Sequence, residues 1–97
     1  MSKNRYSARA DANQPKIVSQ LRKIGYSVIT GHDDIIVGHN GKNYWIEIKD
    51  PVKTVLKDGT WRAGALKDSQ IKLLEEWQGQ YDVVHSVEQI LEIIHGK

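Results

Sequence analysis

Residues 33–49 run Asp33-Asp34-Ile35-Ile36-Val37-Gly38-His39-Asn40-Gly41-Lys42-Asn43-Tyr44-Trp45-Ile46-Glu47-Ile48-Lys49. Asn-Gly between two runs of strand-forming residues is the strongest short signal for a two-residue type I′ hairpin turn. With Asn40 and Gly41 at the turn, His39 pairs with Lys42, and stepping outward brings Asp34 directly across from Glu47. Two carboxylates in that position, about 5 Å apart at Cβ, repel each other and destabilise a sheet. A divalent cation between them is the usual compensation. Lys49 lies two residues beyond Glu47, so alternation returns it to the same face. The hairpin therefore predicts two cation-binding acids and a lysine at one end of one sheet face.

Alternation sorts the remaining side chains. Ile35 and Val37 share a face with Tyr44, Ile46 and Ile48, while Asp34, Ile36, Trp45, Glu47 and Lys49 share the other. The same rule points Asp33 away from Glu47, as a turn or capping residue. The competing reading is a surface ion pair of Glu47 and Lys49 beside a solvated Asp34, which is worth little energetically.

Working outward from the hairpin, Asp11 or Asn13 caps a helix with Pro15 in its first turn, where a missing N–H costs nothing. Ile17, Val18, Leu21 and Ile24 give that helix its apolar stripe, and Gly25 ends it. Tyr26 to Thr30 reads as a first strand. Residues 50–66 read as a loop or short irregular hairpin: Pro51 stops the strand and Asp58-Gly59 marks a turn. Asp68 or Ser69 then caps a second helix whose Ile71, Leu74 and Trp77 are expected to be its buried stripe, with Gly79 at its end. Tyr81 to His85 is a fourth strand. Ser86 and Gln89 fit a capping box for a last helix carrying Val87, Ile90, Leu91 and Ile94. The order α-β-β-β-α-β-α predicts an α/β fold, a mixed central sheet flanked by helices.

The chain has 97 residues, 39% hydrophobic and 27% charged, which suits one folded domain over residues 11–97 behind a polar, basic arm at 1–10. No apolar run approaches the roughly 20 residues that span a bilayer, and the first residues carry no apolar signal-peptide core. Cysteine is absent, which fits a reducing, cytoplasmic setting. Residues 1–72 hold 13 Lys/Arg against 7 Asp/Glu, and residues 73–97 hold one against 5. A basic first three-quarters suits an anionic partner such as DNA. Lys3, Arg5, Arg9, Lys53, Lys57 and Arg62 are the candidate phosphate contacts. Trp61 can stack on a base or anchor its loop, and the second role is the commoner one. The four histidines lack metal-ligand spacing; His32 is near the acids but fits a turn.

Asp34 followed, after a turn, by Glu47-Ile48-Lys49 resembles the bipartite motif of the PD-(D/E)xK nucleases. More narrowly, the chain is similar to virus-type replication-repair nuclease (VRR-NUC) domains, the small stand-alone phage members above all. The similarity lies in Arg9-Ala10-Asp11-Ala12-Asn13, Ile17-Val18, Leu21-Arg22, Asp34 to Gly38, Asn43 to Asp50, Gln70, Trp77 to Gln80 and His85 to Glu88. It implies a restriction-endonuclease-like core and a Mg²⁺-dependent endonuclease, with Mn²⁺ as a substitute. Asp34 and Glu47 would be metal ligands, with the Ile48 carbonyl as a third candidate. Lys49 would be the catalytic lysine and Gln70 a catalytic-site support. It also implies a homodimer acting on branched or structured DNA, as in Holliday-junction resolution, and, for a phage-encoded chain, the host cytoplasm.

The chain departs from that family in two places. Asp33 stands where the family tends to have Pro. Asn13 and Gln14, with Asp11 just before, stand near where a first-helix Glu often completes the metal site, which leaves Gln14 as a neutral candidate ligand. A DNA-binding module without catalysis, and a protein merely stabilised by a cation, are the alternatives from other classes.

Overall fold

A computed structural model describes residues 13–31 and 34–96 of the chain. The arm at 1–10, the alternative cap Asp11, and His32 and Asp33 lie outside the described residues. In chain order the elements are α1 (Gln14–Lys23), β1 (Ser27–Thr30), β2 (Asp34–His39), β3 (Lys42–Ile48), α2 (Pro51–Thr54), α3 (Asp68–Glu76), β4 (Asp82–Val84) and α4 (Val87–His95). The strands form one mixed sheet in the order β1-β2-β3-β4. The first two pairings are antiparallel and the last is parallel. A parallel neighbour needs a crossover, and the segment carrying α2 and α3 supplies it.

The hairpin sets the register. Asn40 and Gly41 both adopt positive φ, 52° and 74°, as a type I′ turn requires. Asp34 accordingly pairs with Glu47, Ile36 with Trp45, and His39 with Lys42. Ile35, Val37, Ile46 and Ile48 are buried on one face together with Val84. Onto that core pack Ile17, Val18 and Leu21 from α1 and Ile90 from α4. Truncating a fully buried member such as Leu21 or Ile46 to alanine costs about 2–5 kcal/mol. At the turn end of the hairpin, the Tyr26 ring stacks on His39 at 4.1 Å and its hydroxyl bonds His95 Nε2 at 2.6 Å. The acids sit at the opposite end.

Three local expectations change. The segment after β3 contains a helical turn: Pro51 opens α2, and Asp50, its cap, accepts from Val52 N at 3.0 Å. An irregular hairpin follows, with Val55 bridged to Trp61 and Asp58 accepting from the Thr60 N–H and hydroxyl at 3.0 and 2.7 Å. Trp61 is half-buried and meets His85 edge-on at 5.9 Å, so it anchors this loop.

The expected buried stripe of α3 is a clear miss. Ile71, Leu74 and Trp77 are 40%, 45% and 52% exposed, and Gln70 is the buried residue of that helix. Their spacing does place them along one face. Periodicity does not say whether another layer covers that face.

The capping box of α4 forms by half. Ser86 Oγ accepts from Gln89 N at 3.2 Å, but the Gln89 amide oxygen takes the N–H of His85, at 2.6 Å.

Candidate active site

Asp34 and Glu47 face each other across β2 and β3, and Lys49 follows at the carboxyl end of β3. The backbone N–H of Lys49 extends the ladder to Val84 O at 2.8 Å, which fixes this strand end between β2 and β4. Glu47 and Lys49 are each only 6% exposed, whereas Asp34 is half-buried. Burial at that level does not fit a solvated surface pair. A charge taken out of water is costly unless hydrogen bonds, opposite charge or a metal compensates it.

Neighbouring side chains fix the orientation of the acids. The indole N–H of Trp45, two residues before Glu47, donates to Asp34 Oδ2 at 2.8 Å. Trp45 is held in turn by Gln80, whose side-chain amide accepts from Trp45 N at 2.6 Å and donates to Trp45 O at 2.8 Å. Gln80 thus bonds the edge of β3 as a strand residue would, just before β4 begins. The rings of Trp77 and Tyr81 pack edge-on against Trp45 at 5.6 and 4.7 Å. The Tyr81 hydroxyl lies 3.5 Å from Glu47 Oε1, the long limit of hydrogen bonding. Gly31 flanks Asp34 on the other side. Its N–H donates to Asp34 O at 2.8 Å, and a Cβ there would collide with Asp34 Oδ1.

The start of α1 reaches the same place. Asn13 occupies the cap position, yet its side chain makes no capping bond. Its amide donates instead to Lys49 O at 3.0 Å and His85 O at 3.1 Å. Those two bonds tie the helix start to the ends of β3 and β4. Gln14, the next residue, is 6% exposed, and its Oε1 is buried without a hydrogen-bond partner. An orphaned buried carbonyl-type oxygen costs about 1–3 kcal/mol. A hard cation would satisfy it.

Among the described residues, six polar or charged ones are buried: Gln14, Glu47, Lys49, Asp50, Thr54 and Gln70. Asp50 and Thr54 are accounted for by α2, since Thr54 Oγ1 also donates to Asp50 O, at 2.6 Å. The other four are all site residues expected from the sequence. Gln70 is oriented by its own helix, its Oε1 accepting from Lys67 N at 3.0 Å. Ile48 has a fully buried side chain in the core, so only its backbone is open to a role with the acids. Lys53, Lys57 and Arg62 are exposed on α2 and the loop after it; Arg5 and Arg9 lie outside the described residues.

Among the described residues no three His, Cys, Asp or Glu side chains gather into a metal-binding group. A cation held by Asp34 and Glu47 would therefore draw on amide or backbone oxygens, for which Gln14 Oε1 and Asn13 Oδ1, both buried without a hydrogen-bond partner, are the candidates. An all-oxygen set of this kind suits a hard, partly hydrated ion such as Mg²⁺.

Sequence reading did not single out Trp45, Tyr81, Gln80 or Gly31 as supports of the acids. Alternation did put Trp45 on the acidic face, and that signal was sufficient to find its role. No family model, curated protein or solved structure matches the chain.

Proposed function

We propose that this protein is a Mg²⁺-dependent DNA endonuclease of the PD-(D/E)xK type, working as a homodimer on branched or structured DNA, Holliday junctions among them. One observation carries the reading. Once local capping is discounted, which accounts for Asp50, Thr54 and Gln70, the buried polar residues that remain among the described residues are Gln14, Glu47 and Lys49, and Glu47 belongs to a carboxylate pair that a sheet alone disfavours.

In this reading Asp34, Glu47, the Ile48 carbonyl and Gln14 Oε1 hold the cation. When bound, a divalent ion polarises a phosphate and lowers the pKa of its water. Trp45 keeps the Asp34 carboxylate aimed, and Tyr81 leans on Glu47. The Lys49 ammonium carries three N–H donors and no acceptor. Next to Glu47 it orients the attacking water and stabilises charge developing on the phosphate. Gln70, buried and fixed by Lys67 N, supports the site. Two incisions on opposite strands need two such sites, hence two copies of a one-site domain.

Incubating the protein with end-labelled four-way junctions, flaps and linear duplex, with Mg²⁺, Mn²⁺ or EDTA, tests this. Metal-dependent nicking of the branched substrates is expected. Tight DNA binding with no product under either metal would reject catalysis and favour the alternative, a DNA-binding module of nuclease-like fold. The absence of any acid from the first turn of α1 is the observation on that side.

A further inference from the structure

A groove of about 690 Å³ runs along α1, walled by Gln14, Val18, Ser19, Arg22 and Lys23 and by Thr30 and Gly31 from the end of β1. Its wall residue Gly31 adjoins Asp34, bonding Asp34 O and bordering its Oδ1. Arg22 and Lys23 stand in the last turn of α1. Among the described residues the lining holds two cations and no carboxylate, and α1 itself, Gln-Pro-Lys-Ile-Val-Ser-Gln-Leu-Arg-Lys, has no acid at all.

We propose that this groove is the track of one DNA strand, with Ser19, Arg22 and Lys23 contacting its phosphates on the way to the Asp34–Glu47 site. The proposal rests on the nuclease reading and gives that site's substrate a path. Three observations carry it. Charge is complementary: a groove whose described lining carries Arg22 and Lys23 and no acid suits a polyanion, and phosphate contacts position a strand without reading its sequence. Arg22 is already braced, since one of its guanidinium nitrogens donates to Val28 O at 2.9 Å, while its remaining N–H groups are uncommitted to that bond and the side chain is exposed. The dimensions also fit. From Gln14 to Lys23 the helix rises about 13 Å at 1.5 Å per residue, roughly four nucleotides of a B-form strand at 3.4 Å each. The described basic residues picked out from the sequence, Lys53, Lys57 and Arg62, lie on α2 and the loop after it, so Arg22 and Lys23 are further candidates.

Single-turnover cleavage of a labelled four-way junction, followed against protein concentration at two salt concentrations, tests the track. Lys23→Glu places an anion in the groove at an exposed position, and Ser19→Glu places one a helical turn before Arg22, where it also draws that guanidinium away from phosphate. Lys42→Glu, at the hairpin turn, makes the same charge change as Lys23→Glu outside the groove. Each groove variant should raise the half-saturating concentration by about ten-fold or more, far beyond its effect on the maximal rate, and Lys23→Glu should lower the salt slope by about one. Lys42→Glu should shift it by less than about three-fold. Equal losses in groove and control variants, or no loss in the groove variants, would overturn the track and leave the nuclease reading standing. No cleavage by the wild type would remove both.

Discussion

Trp45 Nε1 donates to Asp34 Oδ2 at 2.8 Å across the β2–β3 hairpin, and through that bond a sheet aromatic sets the direction of a candidate metal ligand. Trp45→Phe keeps an aromatic ring at the position and deletes the donor, together with part of the indole surface that packs on Trp77 and Tyr81. Partners that orient metal ligands are worth about 10–100-fold in affinity. Mn²⁺ titration should therefore show affinity down by about ten-fold, in a variant that still melts cooperatively despite some lost packing. Unchanged affinity would mean that Asp34 is not a ligand or is oriented by something else.

Gly31→Ala puts a methyl group against Asp34 Oδ1. Because Gly31 sits at the exposed end of β1, the fold should tolerate the change. Nicking should fall by about ten-fold or more, since misplacement by an ångström is enough for that. A variant that melts like wild type and cuts at its full rate would remove Asp34's position from the account.

Gln14→Leu deletes a buried acceptor that has no hydrogen-bond partner. Without metal, the melting temperature should hold or rise, because an unsatisfied buried group is lost. The rise in melting temperature produced by saturating Mn²⁺ should shrink, because one donor to the bound ion is gone. An undiminished metal-induced rise would exclude Gln14 as a ligand.

Leu74→Lys tests self-association. The exposed stripe of Ile71, Leu74 and Trp77 is an apolar surface that a homodimer could cover. Sedimentation should give the wild type about twice the 11.0 kDa chain mass and the variant the chain mass, with the site residues untouched. A monomeric wild type at micromolar concentration would reject the homodimer.

Much of the sheet was legible because one dipeptide decided it. Asn40-Gly41 admits a narrow set of turns, the turn fixes the register, and the register places Asp34 opposite Glu47. Other features depended on distant partners. Asn13 is at the cap position its residue type suggests, yet its amide serves Lys49 O and His85 O, 36 and 72 residues away, and no local pattern encodes that. Ile71, Leu74 and Trp77 share a helix face by spacing, but spacing carries no information about whether a second layer covers it. The 50–66 segment was obscure because Pro51 reads as a strand breaker, while its use as the first residue of a helical turn depends on the Asp50 cap.

Single-turnover cleavage of a four-way junction by wild type and Lys49→Ala, with Mg²⁺ and with EDTA, tests the central claim most directly. The wild type should cut only with the metal. Lys49→Ala should lose about two orders of magnitude in rate or more, while its DNA binding and melting temperature stay close to wild type. Cutting by Lys49→Ala at the wild-type rate, or a wild type that binds DNA and never cuts it, would contradict the account.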